Sequence, residues 1–445
     1  MFATIKQQGI VEVMKFVNEK TNFMKAFEPL LAKGTQTLPT IEYISAATLA
    51  NAIRLGVHKM ASSSDLNESK LVTIEANYIR IETLRTAIDV INNATARFPI
   101  FDKWYLQSTM HGSLDALKLE MSLAHHKGRH SKKYFKSGIG VAAINEIVNG
   151  LSVTGRLIGA HEYEGGFNFE MCILQNTSEI TPTHISTDKH GMNMFNFALF
   201  DLIDMVFAPR IPKPHKETLW GFGKAEDYEG LLIKPTKFVN AQLLIDEEDN
   251  IKRLMASFLT GHTSPSIMIQ KMSAKEYTSK TKTALMQYNN LEKSKFILQT
   301  IHDPHFRYII TQMLNRGESY NNLYRAVTLL NNGELRGKSE IEMECWNQCT
   351  RLICAIFHYY NTYLINSIHV RSNNNQEKKF LENLSPTAWT HVLLLGFFQF
   401  FSNKQNESWV EDCLRQWNWD DMRGCDSTKR EEKNRKTKKR KNKRS

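Results

Sequence analysis

The sequence predicts a mixed α/β protein, on three observations. Helical hydrophobic periodicity fills residues 1–105 and most of the chain after 240. Between them the period changes to two, with an Asn-Gly turn signal. A short strand, an amphipathic helix and a further strand then complete one half of an α/β sandwich.

Taken in order, Ala46, Leu49, Ala50, Ile53 and Val57 mark a helix over about 39–59. Ile81, Leu84, Ala87, Ile88 and Ile91 mark another over about 70–96, and Pro99 ends the helical pattern. From Asp115 to Leu123 every second residue is apolar, through Leu117, Leu119 and Met121. GVAAINEIV, Asn149-Gly150 and LSVTGRLIG then read as a hairpin, so 115–159 forms three antiparallel strands with a basic loop, HHKGRHSKKYF, after the first. A helix over 162–175 and a strand ending in HISTD (184–188) follow. Met194, Phe195, Ala198, Leu199, Leu202 and Ile203 mark a helix, and MVFAPRI (205–211) a fifth strand. Residues 216–237 are irregular, while 240–260, 280–301, 305–331 and 340–370 carry helical periodicity. These shifts divide the chain into a helical N-terminal region (1–107), the first part of a core (108–215), a mostly helical insertion (216–300), a helical part completing the core (301–402) and a polar, basic, disordered tail (403–445).

Of the net charge of +11, residues 429–445 carry +9, with eleven Lys/Arg and two Glu. The basic character belongs to the tail, a solvated block that attracts polyanions or merely solubilises. The longest apolar run, Val392 to Phe401, is too short to span a bilayer, which excludes an integral membrane protein. The start of the chain lacks the plan of a signal peptide. Cys172, Cys345, Cys349, Cys354, Cys413 and Cys425 form no C-x-x-C pair and no zinc spacing, and read as free thiols in a reducing cytoplasm.

Three acids stand out. Asp115 shares a strand face with Leu117, Leu119 and Met121, where an ionised carboxylate is costly unless it is paired or binds a metal. Asp188 ends a short strand, the edge where open α/β sheets bind ligands. Glu318 follows Gly317 in a helix, and a mid-helix glycine suggests the close approach of another backbone or a ligand. Duller readings stand beside these: a salt bridge for Asp115, an N-cap for Asp188, a solvated face for Glu318. Together, two strand aspartates and a helical glutamate suit two-metal phosphodiester chemistry.

The wording around these acids is specific. SEITPTHISTDKHGMNMFNFALFDLIDMVFAPRI, centred on Thr187-Asp188-Lys189-His190-Gly191, resembles the second-aspartate region of Tn3-family transposases. LNRGESYNNLYRAVTLLNNGELRG resembles that family's glutamate helix, HGSLDALKLE with RHSKKYF its first-aspartate region, and WNQCTRLICAIFHYYNT the segment after the glutamate. The matches recur in family order from about residue 20 to 402.

The resemblance implies a ribonuclease-H-like core in which Asp115, Asp188 and Glu318 hold two Mg²⁺ or Mn²⁺ ions. It implies metal-dependent cleavage at transposon ends and strand transfer in replicative transposition. Arg129, Lys132, Lys133, His190, Arg316 and Arg325 are candidates for phosphate contact, with solvated or structurally paired roles as the alternative. The implied partners are the terminal inverted repeats and target DNA, with a homo-oligomer on DNA, no membrane, and a bacterial cytoplasmic, nucleoid-associated setting. Ala116 stands where the family usually carries Gly. The family's end-recognition domains lie upstream of such a segment, so the expectation is an N-terminally truncated copy. The alternative is an inactive remnant that only binds DNA or interferes with assembly.

Overall fold

The computed structural model describes residues 1–30, 39–105, 109–122, 127–401 and 408–419. Its centre is a mixed sheet. Strand β1 (His111–Met121) pairs antiparallel with β2 (Ile139–Val148) along its length, from Gly112 opposite Val148 to Met121 opposite Ile139. β2 pairs antiparallel with β3 (Leu151–Gly159), with a register shift between Glu146 and Ile147. On its other edge β1 pairs parallel with β4 (His184–Thr187), which pairs parallel with β5 (Val206–Phe207). The five strands thus lie in the order β3-β2-β1-β4-β5, and Arg129–His130 adds two residues beside the start of β2.

The hairpin expected at Asn149-Gly150 is there. Both residues have positive φ, 50° and 91°, the backbone that a tight β2–β3 connection needs and that Asn and Gly accept most readily. The turn is also an anchor. His358 Nε2 lies 3.1 Å from the Asn149 carbonyl oxygen, and Asn149 Nδ2 donates to the Phe101 carbonyl at 3.3 Å.

Both faces of the sheet are covered, which is why β2 and β3 are almost wholly buried instead of alternating. One face packs against helices α1 (Ile41–Ala52), α2 (Ile81–Ala96) and the long α8 (Glu340–Arg371), with Leu117, Leu119, Met121, Ala143 and Val153 in that core. The other face, through Leu114, Ala142, Ile144 and Ile185, meets the helix α3 (Asn196–Asp201) and three helices that follow it in the chain. These are α4 (Ala241–Leu259), α5 (Pro265–Ser273) and α6 (Lys280–His302). α5 was not anticipated from the sequence. α7 (Pro304–Val327) crosses β1 and links the two halves.

Two expected helices are broken, the first by long-range bonds and the second at a local cap. The first ends at Ala52 because Arg54 turns inward with φ 66° and is fully buried. Its guanidinium donates to the carbonyls of Asn51 (3.3 Å) and Trp346 (3.2 Å) and to the Tyr324 hydroxyl (3.3 Å). The pattern resumes only at Val57–Ser62. The second divides into Glu68–Tyr78 and α2, because Ile79 and Arg80 are extended. There the Thr83 hydroxyl caps the new start, accepting from the Arg80 N–H at 3.2 Å and donating to the Tyr78 carbonyl at 2.8 Å. Pro99 likewise begins a short helix, Pro99–Lys103, in place of only ending one. The helix expected over 162–175 is a succession of short turns with different hydrogen-bond spacing.

The segment Val392 to Phe401 is extended: Val392, Leu394, Phe398 and Phe400 are buried while Leu393, Leu395, Phe397 and Phe401 are exposed. Past Ser402 the expected patternless tail contains a helix, α9 (Ser408–Arg415), that buries Val410, Cys413 and Leu414 in the first core. The Lys/Arg block and Cys425 lie outside the described residues, as does part of the basic loop, 123–126. Among the described residues the cysteines are free, and no helix is long and apolar enough to cross a membrane.

Two stability predictions arise from this packing. A Cβ at Gly317 of α7 would stand 3.1 Å from Ser113 Oγ of β1. Gly317→Ala gains about 1 kcal/mol of helix propensity against slight crowding and is expected to be near neutral. Gly317→Leu must push the helix off the strand, and is expected to lower stability by about 1–3 kcal/mol in urea denaturation, with Ser113→Ala recovering part of the loss. The second concerns Glu146 in β2, which is fully buried. Burial pushes its pKa from 4.5 up to about 7, only partly offset by the Cys172 thiol and the charge of Arg351. The folded state therefore holds this proton more tightly than the unfolded chain. The associated stability is complete below pH 4.5 and is lost as pH rises through about 7, a fall of roughly 3 kcal/mol. Glu146→Gln is expected to remove that part of the pH dependence in denaturation curves recorded across the same window.

Candidate active site

Strand register brings the two aspartates together. In the parallel β1–β4 pair, Leu114 lies opposite Thr187, so the next residues on each strand are Asp115 and Asp188. Adjacent strands run about 4.8 Å apart, so two acids seventy-three residues apart in sequence become neighbours. The register is held four residues before Asp115 by His111, whose Nε2 lies 2.7 Å from Ser186 Oγ. Burial lowers this imidazole to a pKa of about 3, so it stays neutral.

Glu318 comes from α7, one residue after the glycine at which that helix touches β1. The close approach inferred from Gly317 is thus to the strand bearing the first aspartate. Glu318 itself is exposed. Three residues on, the buried Asn321 donates from Nδ2 to Asp115 Oδ2 at 2.8 Å. The other Asp115 oxygen accepts from the Ala116 backbone N–H at 2.9 Å. Asn321 was not singled out in the sequence; it lies in the resembling motif, but its spacing carries no sign of a bond to a strand 206 residues away.

Electrostatics link these acids. Asp115 is pushed up to a pKa of about 6, chiefly by burial, with its hydrogen bond from Ala116 working the other way. The negative charges of Glu318, Glu164 and Asp188 add to the rise. Glu164 is a carboxylate that the sequence did not flag. It stands on a turn, Glu164–Gly166, and is ion-paired with Lys118 of β1. A site in which neighbouring negative charges add to the cost of ionising Asp115 is one that a divalent cation would relieve, and all-oxygen donors suit Mg²⁺ or Mn²⁺. The donor chemistry therefore fits the ions that the resemblance implies. Among the described residues, however, no three His, Cys, Asp or Glu side chains stand close enough together to coordinate an ion as they are placed. The carboxylates share a field without sharing a ligand sphere.

The turns bearing Glu164 and Asp188 are clamped to each other. Asp188 caps the turn Lys189–Gly191, its Oδ1 accepting from the backbone N–H groups of His190 (2.8 Å) and Gly191 (3.1 Å). The capping role weighed for Asp188 is thus present, and its second oxygen remains for other work. Asn168 Nδ2 donates to the Gly191 carbonyl at 2.8 Å, and Asn193 Nδ2 to the Gly165 carbonyl at 2.6 Å. Asn196 Nδ2 lies between, 3.1 Å from Gly165 O and 3.3 Å from Gly191 O. A Cβ on Gly165 would come 2.8 Å from Gly191 O, so this contact requires glycine. Three asparagines therefore fix the spacing of the two acidic turns.

The six basic candidates separate. Arg129, Lys132 and Lys133 are exposed on the segment before β2, where Lys133 Nζ donates to the Tyr134 hydroxyl at 2.8 Å. His190 is exposed beside Asp188, and Arg325 is exposed on α7, bonded to Asn322 at 3.2 Å. Arg316 has a different role. Half-buried, it donates to Asn149 Oδ1 (2.5 Å) and the Trp104 carbonyl (2.8 Å), tying α7 to the β2–β3 turn. Both terminal nitrogens are hydrogen-bonded, so the structurally paired role weighed for it is present. Ala116, in place of the usual glycine, faces the second core on the side of β1 away from Asp115.

Comparison with known proteins agrees with this architecture. Residues 12–398 match the Tn3 transposase DDE domain. The transposase of transposon Tn2501 from Escherichia coli is 29% identical over 420 residues, 91% of this chain and 41% of that protein. The transposase of transposon gamma-delta from Escherichia coli K12 is 23% identical over 403 residues, 88% of this chain and 39% of that protein. For the transposase of transposon Tn1546 from Enterococcus faecium, the values are 27% over 234 residues, with shares of 52% and 24%. The chain spans about two-fifths of the length of the first two relatives. With a family match over nearly its whole length, the chain belongs to the Tn3-family DDE transposases.

Proposed function

We propose that the chain is the catalytic portion of a replicative transposase, cutting at transposon ends and joining the freed 3′ hydroxyls to target DNA as a DNA-assembled homo-oligomer. The observation that carries the reading is the parallel β1–β4 register, which sets Asp115 beside Asp188 while α7 brings Glu318 to the same strand. The strand order β3-β2-β1-β4-β5, with the first three antiparallel and the last two parallel to β1, supports a ribonuclease-H-like core. In this reading 216–300 is an insertion between the second and third acids.

Asp115, Asp188 and Glu318 would hold two Mg²⁺ or Mn²⁺ ions, which supply activation of the attacking oxygen and stabilisation of the leaving one. Asn321 orients the Asp115 carboxylate by its 2.8 Å hydrogen bond and takes up one lone pair, restricting which oxygen lone pairs face a cation. The asparagine clamp keeps Asp188 from drifting away from β1 when DNA binds. Arg129, Lys132, Lys133, His190 and Arg325 are the exposed candidates for phosphate contact; such contacts orient DNA without reading its sequence.

Metal-dependent nicking and strand transfer on DNA carrying the terminal repeats that flank the gene test the proposal. Asp115→Asn, Asp188→Asn and Glu318→Gln are each expected to lower the rate at least about a thousandfold, some 4 kcal/mol of barrier, with unchanged thermal unfolding. An Asp188→Asn protein that joins DNA as fast as the parent would overturn the assignment. Asn321→Ala is expected to fold and to lose a smaller factor, about tenfold to a hundredfold, the range found when a group orienting a metal ligand is removed.

A further inference from the structure

Lys118 stands three residues after Asp115 and meets Glu164 in an ion pair whose side chains are only 17% and 19% exposed. The same ammonium lies 5.6 Å from the centre of the Tyr134 ring, against which Lys133 packs at 4.6 Å. Tyr134 belongs to the short helix Lys132–Phe135, two residues beyond the Arg129–His130 strand. Lys133 and Lys118 thus meet on one ring, which ties the segment carrying the exposed Arg129 and Lys132 to the part of β1 beyond its last residue paired with β4. The carboxylate paired with Lys118 is one whose charge acts on Asp115.

A half-buried ion pair is a poor source of stability, since desolvation consumes most of the attraction. It is a good store for a cation required elsewhere, because exchanging a carboxylate partner for a phosphate leaves the lysine paired throughout. We propose that Lys118 is a phosphate-positioning residue held in reserve by Glu164, and that it passes to the backbone of bound DNA beside Asp115 and Asp188. This inference rests on the transposase reading and adds a residue to it. The exchange is physically coupled to the metal. Glu164 would be stranded, buried and unpaired, if the lysine left alone, whereas a divalent cation arriving among the acids compensates its charge. Lysine suits such a transfer better than arginine would, as a compact point charge on a flexible stem.

The test is the salt dependence of binding to a short fluorescent DNA duplex that lacks the terminal repeats, measured by anisotropy at a fixed Mg²⁺ concentration, so that the acids can hold a cation while the duplex offers no end to cut. Each phosphate contact contributes about 0.9 to the slope of log K against log salt. Lys118→Gln is expected to reduce the slope by about one, and Lys118→Arg to restore it. Glu164→Gln, which releases the lysine from its store, is expected to bind several-fold tighter than the parent. A folded Lys118→Gln protein with the parental slope would overturn the inference and leave a structural ion pair. If that variant does not fold, Glu164→Gln binding no tighter than the parent overturns it equally. A parent with no salt-dependent DNA binding would overturn the transposase reading itself, and this inference with it.

Discussion

The site depends on one close approach. α7 lies against β1 where residue 317 has no side chain; a Cβ there would come 3.1 Å from Ser113 Oγ, so any side chain larger than alanine would hold the helix off the strand. That contact sets where Asn321 and Glu318 stand relative to Asp115. The parallel pairing of β1 with β4 supplies the other coordinate, since it leaves no freedom in which residue of β4 faces which residue of β1. Two backbone approaches thus fix three carboxylates whose mutual repulsion the fold must overcome. The raised pKa of Asp115, near 6, comes chiefly from burial, and the charges of Glu318, Glu164 and Asp188 add to it.

The supports of the site are polar and buried. Arg316 and His358 converge on Asn149, so α7, α8 and the β2–β3 turn are joined at one residue. Arg351, fully buried in α8, donates to the hydroxyl and the carbonyl of Ser152, each at 3.0 Å. On the other side the Asn168, Asn193 and Asn196 amides join the turns of Glu164 and Asp188. Such networks stabilise only when every member is satisfied. They specify one spacing of the acids where an apolar contact of equal area would tolerate several.

How legible this was in the sequence depended on whether the determinant was local. The alternation from Asp115 onward and the Asn149-Gly150 turn are local, and β1, β2 and β3 follow them. Gly317 is also legible, since a mid-helix glycine has a cost and so a reason. The break at Arg54 is not readable, because it answers to Trp346 and Tyr324, almost three hundred residues away, while that at Ile79-Arg80 is marked only by the Thr83 cap. Lys118 alternates as an outward residue and gave no sign of its pair. Glu164 and the three asparagines lie in stretches that read as loop or helix start, where such residues are common for local reasons. The three acids stand out by position, but only the wording around them points to one shared site.

A divalent-cation site built across β1 and β4 is the central claim, and the carboxylates as they stand do not yet close around an ion. Crystals grown with manganese and recorded at a wavelength where manganese scatters anomalously would test it most directly. The account predicts a peak between the Asp115 and Asp188 carboxylates, with Glu318 turned toward it. Manganese bound only elsewhere, with those two carboxylates pointing apart, would contradict it.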